Sequence, residues 1–390
     1  MTGAVAGDPF ARFPGRLAFD EEERGYRKEL RAFLDGHPAP RFDHLDHERS
    51  VRGVMAWHGA LAGAGFPVPD CPAAFGGRDR TLGMGLVQAE EMARAGATFS
   101  VNIVGIAMVT PLLVAMGTPA QQQRYLPGIA TGDDLWCQLF SEPDAGSDLF
   151  ALRASGVPED GQLRVRGQKI WSSTADLADL GVMLVRTDPD APRSSGISCC
   201  IVDMRAPGIT VRPIREMTGG ASYCEVFFDD VLVPEENLVG ALHHGARAAL
   251  AVLAAERTGL TLGNYANLIS RFESLLGPEG GGRHRMDLTR LFERLALLRL
   301  GALRNASGAA NDEGLGLAAV GKLAMGQSAL NLAFLHAGLL GPRTLAFAPG
   351  DDEARHAAES VNRALAYAIG GGTHEMQRNA IAERLLGLPR

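Results

Sequence analysis

The feature that most constrains this chain is a change of hydrophobic period, from helical to two and back to helical. From Phe19 to about Ala130 the apolar residues keep helical spacing. Leu30, Phe33 and Leu34 stand at i, i+3 and i+4, and Glu21-Glu22-Glu23 suits a helix's first turn. The run GFPVPDCPAAFGG (65–77) carries three prolines and reads as a loop, after which Leu82 to Arg94 resumes the helical pattern. Between about Leu135 and Val239 the period becomes two. LRVRG (163–167), LGVMLVRT (180–187), GISCCIVDM (196–204), GITVRPI (208–214) and CEVFFDDVLV (224–233) are short, β-branched-rich runs bounded by turns at 159–162 and 188–196. No helices separate these strands, which argues against a doubly wound parallel sheet and for an antiparallel β domain. Helical patterns return over 245–274, 286–310, 315–339 and 353–369, with a short one near 375–386. The glycine-rich segment LLGPEGGGRHR (275–285) separates the first two. Four long helices with short joints predict a bundle. The expected organisation is therefore a flexible tail (1–18), an N-terminal helical domain (19–134), a β domain (135–240) and a C-terminal helical bundle (241–390), an α+β fold.

Charge narrows the function classes. The formal net charge is −7 and basic residues are dispersed, so no electrostatic footprint for nucleic acid or an anionic membrane is present. The five cysteines (Cys71, Cys137, Cys199, Cys200, Cys224) include no C-x-x-C pair, and adjacent Cys199 and Cys200 would point to opposite faces of a strand. Reduced thiols in a cytoplasmic protein are expected. The first residues lack the basic-then-apolar order of a signal peptide, and no run approaches the ~18 consecutive apolar residues of a membrane span.

Several chemistries have no motif. G-x-G-x-x-G after a strand, G-x-x-x-x-G-K-[ST], H-E-x-x-H and G-x-S-x-G are all missing. Gly321-Lys322-Leu323 lacks the hydroxyl that would bind magnesium, and His374-Glu375 lacks a second histidine. No metal site is expected.

Three segments carry a positive signal. WCQLFSEPDAGSDLFALRA (136–154) is dense in small and hydroxyl residues where helix gives way to strand. It is either a Pro/Gly loop, capped by Ser141 and turned at Ser147-Asp148, or a junction that holds a ligand. GQKIWSSTADLAD (167–179) places an indole and hydroxyls at a strand end, where the tryptophan either fills core or walls a planar ring. IGGGTHEMQRNAIAERLLGLPR (369–390) opens with three glycines before Thr373 and a helix, which is either a simple cap or a backbone cradle for a phosphate.

In this order the three segments resemble the acyl-CoA dehydrogenase family. The likeness covers nearly the whole chain from about residue 19, including MTGGASYCEVFFDDVLVPEENLVG (217–240) and the terminal AERLLGLPR, and it is most similar to the actinobacterial type. The resemblance implies a helical N-terminal domain, a central antiparallel β-barrel, a C-terminal four-helix bundle and FAD as cofactor. It implies that Gln138, Phe140 and Ser141 line the isoalloxazine, with Trp171 and Ser173 at its other edge. Ser147 is implied to meet the CoA part of the substrate, and Gly372, Thr373 and Glu375 the FAD phosphates or adenosine. The reaction implied is α,β-dehydrogenation of an acyl thioester, acyl-CoA or carrier-protein-bound, to the trans-2-enoyl thioester, with electrons passed to an electron-transferring flavoprotein. A flavin oxygenase or oxidase on the same fold and a half-site subunit of a heteromeric dehydrogenase are the alternatives.

That reaction needs one carboxylate base with a desolvated, raised pKa. Many members carry it immediately before the terminal Gly-Thr, but that slot here is Gly371. Other members carry it on the first helix of the bundle followed by arginine, which matches Glu256-Arg257. Helical spacing sets Val252, Leu253, Gly259 and Leu260 on the face of Glu256, which is the expected base. The chain departs from the family at the motifs that touch a neighbouring subunit's FAD: the first reads RFESLLGPEGGGRHR and the second GLLGP, with Gly338 in the glutamine slot. A homo- or hetero-oligomer, dimer or tetramer, is expected.

Overall fold

The computed structural model describes residues 19–43, 45–68, 70–97, 101–276, 284–306 and 312–389. The expected tail and most of the glycine-rich 275–285 segment lie outside them. The chain divides into two compact units: residues 39–79 and 100–256, and residues 1–38, 80–99 and 257–390.

The first of these is built on a seven-stranded sheet: β1 (Trp136–Leu139), β2 (Ser155–Glu159), β3 (Gln162–Ser173), β4 (Leu180–Arg186), β5 (Ile197–Asp203), β6 (Ile209–Ile214) and β7 (Tyr223–Pro234). The strand order is β1-β4-β2-β3-β7-β6, with β5 on β4. The five expected strands appear in place, whereas β1 and β2 were not foreseen. The antiparallel barrel needs correction. β1 runs parallel to β4 (Trp136↔Leu180), and β2 meets β4 in parallel at Ser155↔Arg186. Among the described residues no pairing joins β6 to β1 or β5, so this is a curled mixed sheet with free ends. The reason is connectivity. Strands β1 and β4 are joined through some forty intervening residues rather than a hairpin, and only long connections permit parallel neighbours. Val165, Met183, Val185, Val226, Val231 and Leu139 fill the core of this sheet.

The same unit holds the helices α2 (His47–Gly63), α4 (Thr110–Met116) and α5 (Pro119–Thr131), the last closed at its start by a Thr118–Gln121 capping box. The side chain of Asn102 ties this region to β1. Its Nδ2 donates to the Asp134 carbonyl (2.8 Å) and its Oδ1 accepts from Trp136 N (3.0 Å).

In the other unit, α1 (Glu21–Gly36) starts with an Asp20–Glu23 capping box and buries Tyr26, Leu30 and Leu34. It pairs with α3 (Leu82–Arg94), where the Tyr26 hydroxyl donates to Gln88 Oε1 (2.9 Å) and buried Glu91 collects Arg27, Arg31 and Arg94. The same unit holds the second part of α6 (Gly245–Ser274), with α7 (Arg285–Ala306), α8 (Asp312–Leu340), α9 (Asp352–Ala366) and the short α10 (His374–Ala380). These are the helices expected for the bundle, around Tyr265, Phe272, Leu291, Leu295, Met325 and Leu332. One stretch, Ala318–Thr344, is long and apolar enough to span a membrane by length and composition. Helix α8 packs against α7, α9 and α10, and a third of that apolar window is buried.

All five cysteines are free and buried, and both Cys199 and Cys200 are covered because β5 is buried on its two faces. Burial pushes the Cys71 thiol up to about 11 and the Cys200 and Cys224 thiols up to about 12, which removes thiolate at neutral pH. A chromogenic thiol assay should therefore find no fast-reacting cysteine in the native protein and five after denaturation. A fast-reacting native thiol would contradict this burial.

Candidate active site

The sheet unit assembles two of the three segments around a buried ion pair. Lys169, fully buried on β3, lies 2.8 Å from Glu142 Oε1 and also donates to the Phe140 carbonyl (3.1 Å). Burial lowers the Lys169 pKa and Glu142 opposes that shift. The Glu142 carboxylate further accepts from Arg153 N (2.7 Å) and Ala154 N (2.9 Å), so both of its oxygens are hydrogen-bonded. The loop closes on itself through reciprocal backbone bonds between Glu142 and Ala145 (3.0 Å each). The organising group of SEPDA is thus the Glu142 side chain rather than a Ser141 cap.

Strand β3 carries a bulge at the same point. Its pairing to β7 passes from Lys169↔Val226 to Ser172↔Cys224, so Ile170 and Trp171 oppose the single residue Glu225. The Ile170 N–H turns away to the Ser141 carbonyl (2.9 Å), joining the first segment to the second. Trp171 takes φ 62°, in the left-handed region that a bulky side chain avoids, and the residue is 58% exposed. A large aromatic in a strained conformation and turned outward is not core packing.

Other expected residues can be placed one by one. Gln138 is half-buried on β1 opposite Val182, Phe140 is buried, and Ser141 is half-buried beside Ile170. Ser173 is half-buried and pairs with Tyr223. Ser147 is exposed, next to an Asp148–Arg193 ion pair. Glu256 belongs to α6 by its backbone, and buried Val252 stands one turn before it. The Glu256 side chain lies outside the described residues.

In the helical unit, Gly371 and Gly372 have φ 69° and 90°. A glutamate at 371 would have to adopt this left-handed backbone, so glycine is the residue that fits the turn as built. Gln377 Nε2 donates to the carbonyls of both glycines (3.3 Å each), and a Cβ on Gly372 would sit 2.6 Å from that nitrogen. Thr373 caps α10, its hydroxyl accepting from Met376 N (3.2 Å). Exposed Glu375 pairs with Arg378, and its own backbone N–H and the Thr373 hydroxyl hold its carboxylate below the usual range. Buried His374 is held down by burial and by the Lys322 and Arg378 charges.

Models of the acyl-CoA dehydrogenase N-terminal, middle and C-terminal domains match residues 20–133, 137–231 and 240–386. The chain belongs to the acyl-CoA dehydrogenase family. It is 36% identical to the acyl-CoA dehydrogenase IpdE1 of Mycobacterium tuberculosis over 95% of this chain and 98% of that protein. It is 39% identical to the acyl-CoA dehydrogenase FadE34 of the same organism over 85% of this chain, but it spans only 46% of that relative. Among solved structures, the Tcur3481-Tcur3483 steroid ACAD matches with a TM-score of 0.82 and 27% identity, covering 96% of this chain and 100% of that one. A chain of the ChsE4-ChsE5 complex from Mycobacterium tuberculosis matches at 0.80 and 26%, covering 96% and 100%. As an acyl-CoA dehydrogenase family member the chain is an oxidoreductase of a flavoprotein family of lipid metabolism.

Lys169, Glu142, Tyr223 and Gln377 were not expected at this site. Lys169 had a signal, since it shares strand parity with the core residues Leu163 and Val165 and must have a buried partner. Two outcomes follow. Lys169→Met should cost about 3–5 kcal/mol because it strands Glu142, while Lys169→Met with Glu142→Gln should cost less, as read by urea unfolding. A His374 kept neutral in the fold takes its proton in the unfolded chain. Its contribution to stability is therefore kept above the ordinary histidine pKa of about 6.5 and lost as pH falls below it. His374→Gln should flatten the stability profile between about pH 7.5 and about pH 5.5; an unchanged slope would contradict it.

Proposed function

We propose that this chain is an FAD-dependent dehydrogenase that introduces a trans-2,3 double bond into an acyl-CoA. The observation that carries the reading is the outward, strained Trp171 beside the 138–141 backbone, within a chain matched by all three family models. These residues fit a flavin: a flat indole face is presented rather than buried, and Ser141 and Ser173 supply polar groups around it. Gln138, Phe140, Ser141, Trp171 and Ser173 would hold an isoalloxazine; in the helical unit, Gly372, Thr373 and Glu375 would meet the phosphate or adenosine end of an FAD. The chemistry that FAD supplies when bound is acceptance of the β-hydrogen as hydride.

Glu256 takes the α-proton in this scheme, and the electron pair of that C–H bond becomes the new π bond as the β-hydrogen leaves. Ser147, exposed on its loop, meets the CoA arm. Electrons pass onward to an electron-transferring flavoprotein, and five unpaired buried thiols suit a reducing cytoplasm. A second reading concerns assembly. The matched Tcur3481-Tcur3483 and ChsE4-ChsE5 structures each name two proteins, FadE34 is about twice the span matched, and Gly338 replaces the family glutamine. We infer that this chain works with a second, related subunit that completes the flavin site.

Anaerobic addition of short, branched and steroid-bearing acyl-CoAs should bleach the visible flavin band, with Glu256→Gln slowing bleaching by about 10²–10⁴-fold. Full-speed bleaching in that variant would remove Glu256 as base, and no bleaching by any thioester, alone or with a related subunit, would overturn the dehydrogenase reading. Fast reoxidation by dioxygen without an acceptor protein would favour an oxidase.

A further inference from the structure

Beyond the residues already given a role, one side chain touches the strained indole. Tyr223, the first residue of β7, meets Trp171 edge-to-face, with ring centroids 6.2 Å apart and planes at 81°. That is the favoured geometry for an aromatic pair. The base of Tyr223 is itself braced. Glu216 Oε1 accepts from both Ser222 N (2.6 Å) and Ser222 Oγ (2.5 Å), and Glu216 exchanges backbone bonds with Gly219 and Gly220 (2.9 Å each). The Ser222 carbonyl accepts from Thr174 N (2.9 Å), which ties the β6–β7 turn to the strand end just past Trp171.

We propose that Tyr223 is a positioning residue that locks the Trp171 indole in its outward orientation, so that its free face is already set when a planar ring docks. This rests on the flavin reading for the identity of that ring, but the lock itself does not. The bulge fixes the Trp171 backbone at φ 62° and leaves its side chain over half exposed, where an indole would otherwise sample several rotamers. Backbone strain aims the residue, and Tyr223 removes the remaining freedom. The same pre-ordering gives a costly left-handed tryptophan beside a rigid turn a use.

Tryptophan emission tests this directly. The chain has three tryptophans, of which Trp57 and Trp136 are buried, so Trp171→Phe isolates the exposed contribution. In the full-length protein, Tyr223→Leu should lower the anisotropy of the Trp171 emission and raise its quenching by acrylamide about twofold or more, whereas Tyr223→Phe should preserve both. With the related subunit present, FAD should quench Trp171 emission, and Tyr223→Leu should weaken FAD binding by about two- to tenfold, the range that one aromatic pair is worth. Unchanged anisotropy and quenching in Tyr223→Leu, with the melting midpoint retained, would overturn the lock. Trp171 emission indifferent to FAD, with the Tyr223→Leu effects present, would leave the lock standing and contradict the flavin reading instead.

Discussion

A lysine with no water around it has to be answered by a carboxylate, and that requirement organises the sheet unit. Lys169 and Glu142 are both buried, and each is also bonded to backbone. Pairs of this kind gain little net stability, because desolvation offsets most of the attraction. What they give is position. Glu142 has one geometry in which it reaches Lys169, Arg153 N and Ala154 N together, and that geometry fixes the loop after β1. With the loop fixed, the Ser141 carbonyl is available to the Ile170 N–H, and β3 can give up a ladder bond to form its bulge. The bulge in turn sends Trp171 outward.

The proposed chemistry inherits this order. A flavin ring needs a flat wall and hydrogen-bonding groups that do not move when it arrives. The ion pair fixes the hydrogen-bonding backbone and the bulge fixes the wall, with Tyr223 holding the wall's orientation. In the helical unit a parallel arrangement recurs on a smaller scale: Gln377 gathers the carbonyls of Gly371 and Gly372, and Thr373 caps the helix that follows. There, the positive φ of Gly371 also gives a physical reason why the base is sought elsewhere in the chain.

Much of the architecture was legible from periodicity. Strands β3, β6 and β7 alternate along much of their length and β4 and β5 read as short apolar runs bounded by turns, while α3 and α6 fall where Leu82–Arg94 and 245–274 predicted them. The elements that escaped have physical reasons. Strand β1 is four residues long and almost wholly buried, so it shows no alternation, and β2 reads SGVPE, with a proline and a glycine that suit a turn better than a strand. Parallel pairing to β4 depends on partners far apart in sequence. At the site, the residue types of SEP and KIWSS were visible, but which atoms they would contact was not. A lysine in a strand reads as exposed until its parity with Leu163 and Val165 is weighed, and nothing local announces that Trp171 will take a left-handed backbone. Family resemblance supplied the proposed roles, while the structure supplies the placement and the hydrogen-bond partners of these residues.

The most direct test of the account is a crystal structure of the protein loaded with FAD, together with the related subunit that completes its flavin site. The account predicts electron density for the isoalloxazine ring stacked on or beside Trp171 and within hydrogen-bond reach of the 138–141 backbone, with the Lys169–Glu142 pair intact behind it. A flavin bound away from Trp171, or a Trp171 that has turned into the core with its bulge straightened, would contradict it.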